Sequence, residues 1–296
     1  MSAVAAGAPL AQPRATGPRT RLARFARQSR LGFAAGVVLV LIVIAALAAP
    51  LIAPADPTAM APTKVLMAPS RDALLGTDFF GRDILSRVLY GARISLLVGA
   101  VSVFASALVG TTLGLVAGYV GRWPEYLIMR LMDVLFAFPA VLLAILIVAV
   151  AGAGLTSIVV AIATIYTPVF ARIVRGSTLS VKNVEYVQAA VAAGATSSRV
   201  MTRHVLPNVA APILVQLALG LSGAVILEAA LSYLGLGAVP PTPSLGSMLS
   251  ENRTTMELAP WTVLYPGLAL AVLVLAINIF GDAVRDVLDP RLRTEA

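Results

Sequence analysis

Polar residues in this chain are gathered into islands between long apolar runs, and the length of each run limits what it can be. Residues 31–52 are uncharged for 22 positions, enough at about 1.5 Å per residue to cross the roughly 30 Å hydrocarbon core of a bilayer. Ala46-Leu47-Ala48 looks like a signal-peptidase site, but the preceding tail and the run are both too long for a cleaved leader, which favours a retained span. Residues 94–121 form a second span, with Gly110, Gly114 and Gly118 four apart along it. That spacing makes a groove for close helix packing. After a short connection at 122–133, residues 134–171 run uncharged for 38 positions. The run is too long for one crossing, and Gly152-Ala153-Gly154 divides it into two. Pro139 and Pro168 are expected to kink these helices without abolishing them. A fifth span begins at 205, with Pro207 and Pro212 early in it, and stays apolar past Glu228 to 236. Residues 258–281 make the sixth, where Trp261 and Tyr265 suit an interfacial belt.

The islands carry their own patterns. In residues 54–93 a Pro-rich half gives way to an amphipathic helix through Phe80, Ile84, Leu85 and Val88, with Asp83 and Arg87 an i,i+4 pair on another face. This helix is expected at the outer interface. Residues 237–260 form an outer loop with a short helix from Ser244 onward. Residues 185–207 read as two short helices with a bend. Asn183 caps the first, Glu185 complements its dipole, and Val184, Val187 and Val191 fall on one side at helical spacing. Gly194 ends it. Thr196 or Ser197 then caps a second helix carrying Arg199 and Arg203 one turn apart, until Pro207 forces a new start. Ala189, Ala190, Ala192 and Ala193 are small enough for another surface to approach the backbone. On local pattern alone, a docking element and an ordinary solvated loop stand equal.

Composition agrees with a membrane protein: 59% of the 296 residues are hydrophobic and 12% charged, with mean hydropathy +0.91, whereas soluble domains are about one-quarter charged. The net charge of +8 is explained by its distribution and needs no nucleic-acid partner. Arg14, Arg19, Arg21, Arg24, Arg27 and Arg30 precede the first apolar run without one acid, as in a basic tail against an anionic leaflet. Six crossings from a cytoplasmic amino terminus put sixteen of the Lys and Arg residues inside and six outside, as the positive-inside rule requires. Both termini and the 185–207 island are then cytoplasmic.

The absence of cysteine excludes disulfides, thiolate metal sites and cysteine nucleophiles. His204, the single histidine, reads as a polar contact in its loop, and no metal site is expected. Neither Lys64 nor Lys182 follows a phosphate-cradling glycine-rich turn, so nucleotide hydrolysis is expected on another polypeptide. Glu228 is an ionisable group within an apolar run. It marks a pathway or gate, or else lies near enough the outer surface to be hydrated. Asp133, Asp282, Arg285 and Asp286 read as headgroup-level anchors or intersubunit pairs.

With the 185–207 island placed between spans four and five, the chain resembles the inner-membrane permease subunits of binding-protein-dependent ABC importers. Their loop follows E-A-A, three residues, G, nine residues, I-x-L-P. Here it reads Gln188-Ala189-Ala190, Gly194 and His204-Val205-Leu206-Pro207 with the spacing intact, Gln188 replacing the acid and His204 the aliphatic residue. LGTDFFGRDILSRVLYGARISL, RLMDVLFAFPAVLLAI, ILEAALSYLGLGAVPPTPSLGSMLSENR and PWTVLYPGLALAVLVLAINIFGDAVRDVLDPRLR narrow the resemblance to the shorter permease of the dipeptide, oligopeptide and nickel branch.

The resemblance implies a type I importer transmembrane domain. Its parts are a basic tail at 1–30, a first span with its external segment at 31–90, a permease core at 91–285 containing a coupling loop at 180–208, and a tail at 286–296. It implies no catalytic residue and no cofactor in this chain, with ATP and Mg on partner subunits. The implied partners are a homologous second permease, two cytoplasmic ATPases, an extracytoplasmic substrate-binding protein and membrane lipids, in the bacterial inner membrane. The implied coupling residues are Glu185, Gln188, Ala189, Ala190, Gly194, Arg199, Arg203, His204, Leu206 and Pro207, with Glu228 at the pathway or gate. An ion-coupled secondary transporter is the alternative. Such a protein would usually show repeats, broken helices and midplane charges.

Overall fold

The computed structural model describes residues 29–288. The arginines from Arg14 to Arg27 and the final eight residues lie outside it. All regular elements among the described residues are helical. Five helices are long and apolar enough to cross a membrane: α1 (Arg30–Leu47), α2 (Ile84–Val120), α5 (Leu155–Val181), α7 (Ser197–Tyr233) and α9 (Trp261–Val287). Between α2 and α5 stand α3 (Arg122–Ala137) and α4 (Ala140–Ala151), bent by 96° at Phe138-Pro139, a pair that makes a sixth crossing if counted as one. Among the shorter elements are α6 (Glu185–Ala192) and α8 (Leu245–Glu251).

The glycine ladder of α2 is the seam of the bundle. A Cβ added at Gly110 would stand 2.5 Å from Phe170 Cβ, at Gly114 2.5 Å from Ala171 O, and at Gly118 2.7 Å from Thr178 Cβ. The α2 and α5 backbones therefore touch where side chains would hold them apart. Around this seam Val98, Val103, Ile158, Ile162, Phe170 and Leu231 form a buried core shared with α7. Further out, α1 lies on α9, with Gly32 against Ala283 and Gly36 against Phe280. The start of α1 and the end of α9 are thus side by side. Leu41, Leu47 and Leu51 face outward, as they would toward lipid.

Several expectations need correction. The amphipathic stretch is no separate interfacial helix: Asp83 accepts from Ser86 N at 2.7 Å as the N-cap, and the helix runs 37 residues without a break. Phe80 precedes it. Asp83 is consumed by capping, so it does not pair with Arg87, whose Nη2 instead donates to Glu251 at 2.9 Å. The connection at 122–133 is helical. Pro139 ends one helix and precedes the next, because the residue before proline is pushed out of the α region, here to Phe138 ψ 136°. At 12 residues, α4 reaches about 18 Å and is too short to span alone. Pro168 does sit inside α5.

Residues 53–83 fold into a cap at the end of the bundle opposite α6. Buried Asp78 accepts from Phe80 N and Arg82 N, each at 2.9 Å, and from Arg82 Nε at 2.6 Å. Arg82 Nη2 reaches Glu251 of α8 at 2.6 Å, and Arg87 Nη1 donates to Pro57 O at 3.3 Å. Trp261 Nε1, at the start of α9, donates to Thr77 O at 3.3 Å. Backbone and charge together lock cap, α2, α8 and α9.

Candidate functional site

The α6 loop leaves the bundle at the end of α5, where Lys182 Nζ donates to Gly118 O at 2.8 Å and ties the ends of α2 and α5 together. Val184, not Asn183, holds the N-cap position of α6. Asn183 Nδ2 turns back to Leu179 O at 3.3 Å and satisfies a carbonyl of the preceding helix. Of the three valines expected on one side, Val187 alone is buried, while Val184 and Val191 are each 43% exposed. Val187 joins Leu115, Val174, Val200, Val205 and Val209 in a small cluster that pegs the loop to the bundle.

Gln188 is exposed but folds back along the backbone, its Nε2 donating to Lys182 O at 2.8 Å. A carboxylate has no proton for that bond, so the amide at this position has a structural use that the sequence pattern did not reveal. Gly194, at φ +84°, ends α6 in the left-handed region, with Ala195 N bonded back to Ala190 O at 3.1 Å. Such a reversal satisfies terminal carbonyls and favours glycine. Nothing lies within 4 Å of a Cβ placed there. The bend is set by backbone conformation, not by crowding.

Beyond the bend, Thr196 is the N-cap of the next helix, without a side-chain bond. The expected break at Pro207 does not occur. The helix continues from Ser197 to Tyr233 through a π-helical turn at Met201–Val205. A wider turn just before proline relieves the clash of its ring with the carbonyl four residues back. His204 O accepts from Asn208 Nδ2 at 2.6 Å and Tyr186 Oη at 3.4 Å, which links the turn to α6. Leu206 is half-buried and Pro207 exposed.

Glu185, Gln188, Ala189, Arg199 and Arg203 are exposed and Ala190 is half-buried. Neither arginine has an ion-pair partner among the described residues. The loop is therefore anchored from behind by Val187 and Gln188 and bare in front.

Glu228 lies far along α7 from this loop and is wholly buried. Its carboxyl oxygens accept from Ser95 Oγ of α2 at 2.6 Å and Ser232 Oγ at 2.7 Å. It is not hydrated at a surface. Gly246 of α8 packs just beyond it, where a Cβ would stand 2.1 Å from Ala229 O. Asp133 pairs within the chain, accepting from Arg172 Nη2 at 2.6 Å, whereas Asp282, Arg285 and Asp286 are exposed at the end of α9. No cluster of three or more His, Cys, Asp or Glu side chains suited to a metal occurs among the described residues.

A family model described as "Binding-protein-dependent transport system inner membrane component" matches residues 110–294. Another, "N-terminal TM domain of oligopeptide transport permease C", matches residues 20–69. The chain is 43% identical over 268 residues to the dipeptide transport system permease protein DppC of Alkalihalophilus pseudofirmus, covering 90% of this chain and 88% of that one. It is 47% identical over 226 residues to the glutathione transport system permease protein GsiD of Pectobacterium atrosepticum, covering 76% and 75%. A chain of the solved inward-facing MetNI methionine ABC transporter shares its fold at TM-score 0.57 and 18% identity, covering 70% of this chain and 98% of that one. These relatives give no support to the ion-coupled alternative. The chain therefore belongs to the inner membrane components of binding-protein-dependent transport systems, the multi-pass permease subunits of bacterial ABC importers.

Proposed function

We propose that this permease carries di- or oligopeptides or related small solutes, and that α6 with the bend at Gly194 is the lever through which it is driven. The observation that carries the reading is the contrast within the loop between a fixed back, held by Val187 and the Gln188–Lys182 bond, and an exposed front. Closure of paired ATPases becomes motion of membrane helices when a compact element is rigid toward the bundle and free toward the partner. Glu185, Ala189 and Ala190 form the docking front, with Arg199 and Arg203 meeting acidic groups of the ATPase. His204, Leu206 and Pro207 pass the movement along α7. ATP and Mg act on two partner ATPases, with no cofactor in this chain. A homologous second permease and an external binding protein complete the assembly. In this arrangement the bent α3–α4 pair counts as one of six crossings and both termini are cytoplasmic, a reading supported by the adjacency of Gly32 and Ala283. Glu228 serves at the gate by holding α2 to α7, not by touching cargo.

Gly194→Leu tests the lever. Its Cβ meets no neighbour within 4 Å, and the substitution forces a side chain into a conformation that costs an L residue about 1–2 kcal/mol. ATP-driven uptake of a labelled dipeptide into proteoliposomes is expected to fall at least roughly tenfold, with membrane insertion and subunit content unchanged. Normal uptake removes the lever.

A further inference from the structure

The α6 end of the bundle holds a second charged feature that the transport reading does not use. α3 leaves α2 through a tight reversal at Gly121 and Arg122, with φ +69° and +53°, and lies beside the end of α5. Between them is a cavity of about 620 Å³ whose wall includes Arg122, Arg130, Arg172, Arg175, Glu125 and Asp133. The two acids are already taken. Asp133 pairs with Arg172 at 2.6 Å, and Glu125 accepts from both Nε and Nη2 of Arg175. Arg122 and Arg130 are exposed and have no hydrogen-bond or ion-pair partner among the described residues. The cavity therefore carries two uncompensated guanidinium groups, a fork chemistry suited to phosphate oxygens.

Its surroundings choose the phosphate. Trp123 and Tyr126, 73% and 61% exposed, stand edge to face with centroids 6.0 Å apart, and Leu127, Leu131 and Val134 are exposed further along the same helix. An aromatic pair above an apolar stripe is the pattern of a headgroup boundary. A soluble phosphate would use the arginines and leave the stripe idle. A phospholipid would use both, and basic pockets between membrane helices are suited to anionic headgroups.

We propose that the α3–α5 cavity binds the headgroup of an anionic phospholipid of the adjoining leaflet, with Arg122 and Arg130 on its phosphate and its acyl chains along Leu127, Leu131 and Val134. The site is independent of the coupling reading.

The test uses the complete transporter in nanodiscs of phosphatidylcholine containing spin-labelled phosphatidylglycerol, read as the preference of the motionally restricted lipid population for phosphatidylglycerol. Arg122→Gln and Arg130→Gln are each expected to lower that preference about fivefold, and together about 30-fold, at roughly one surface-charge interaction per arginine. The corresponding Lys variants retain most of it, which separates lost charge from lost fold. Three results each overturn the assignment. The first is an unchanged preference in the double Gln variant. The second is displacement of the spin-labelled lipid by millimolar glycerol 3-phosphate, which makes the site one for a soluble anion. The third is loss of the second permease or the ATPases from the double variant at unchanged lipid preference, which makes the arginines a protein contact.

Discussion

The two ends of this molecule spend their charges in opposite ways. At the capped end Asp78, Arg82 and Arg87 are buried and, with Glu251, pair with one another across the cap, α2 and α8, leaving only Arg87 Nε without a hydrogen bond among the network's buried charged groups. At the α6 end Glu185, Arg199 and Arg203 stand in the open without ion-pair partners among the described residues. A buried ionic network holds only while every member keeps its partner, whereas exposed charges contribute little to the fold and remain free to meet another surface. The first end is built to keep its shape and the second to be met.

The largest expected effect tests the capped end. Arg87→Met removes a fully buried guanidinium and leaves Glu251 and Pro57 O each short of a donor. Breaking a buried pair from one side costs about 3–5 kcal/mol; because Arg82 Nη2 still holds Glu251 at 2.6 Å, the lower end of that range is expected, seen as a lowered melting temperature of the purified transporter. Arg199→Ala with Arg203→Ala should leave that temperature unchanged while weakening retention of the ATPases. Equal melting shifts for the two changes would erase the distinction between the ends.

A smaller effect, of about 1–3 kcal/mol, is expected at the separate Glu228 cluster inside the bundle. Glu228→Leu deprives Ser95 and Ser232 of their acceptor and loosens α2 from α7 beneath α8. If this contact holds the gate, substrate-independent ATP hydrolysis rises about tenfold while uptake falls. Hydrolysis and uptake falling in proportion would reduce Glu228 to packing. Glu228→Gln keeps an acceptor and should lie between wild type and Leu.

Much of this division was legible in the sequence, and the remainder was hidden for identifiable reasons. Spans appear as uncharged runs because the bilayer tolerates little else, and the ladder at Gly110, Gly114 and Gly118 announced a close seam by its spacing. The bend at Gly194 followed from glycine's freedom at positive φ. Partner choice was not legible. Asp83 stood one helical turn from Arg87, yet the cap bond to Ser86 N outcompeted the ion pair, and the true partner, Glu251, lies 164 residues away. Glu125 and Arg175 are separated by 50 residues, Asp133 and Arg172 by 39. Pro139 reads as a kink and Pro207 as a break, but the first separates two helices by 96° and the second is absorbed by a π-turn. That difference depends on the neighbouring backbone, which no local pattern encodes.

The smallest effect sharpens the α6 end itself. Gln188→Glu replaces the amide that donates to Lys182 O with a group that accepts only, a loss of about 0.5–1.5 kcal/mol. Its negative charge in the first half of α6 is partly offset by the helix dipole, worth about 0.3–1 kcal/mol. The net change is therefore under about 1 kcal/mol. Amide hydrogen exchange over residues 183–194 should quicken by up to about fivefold, with the melting temperature of the whole transporter unmoved, because the loop touches the bundle chiefly through Val187. If exchange in the loop is unchanged, the Gln188–Lys182 bond does not stiffen it, and Val187 alone carries the lever. If the melting temperature falls as well, the α6 end is part of the fold's own support, and its bare front cannot be read as a surface kept for a partner.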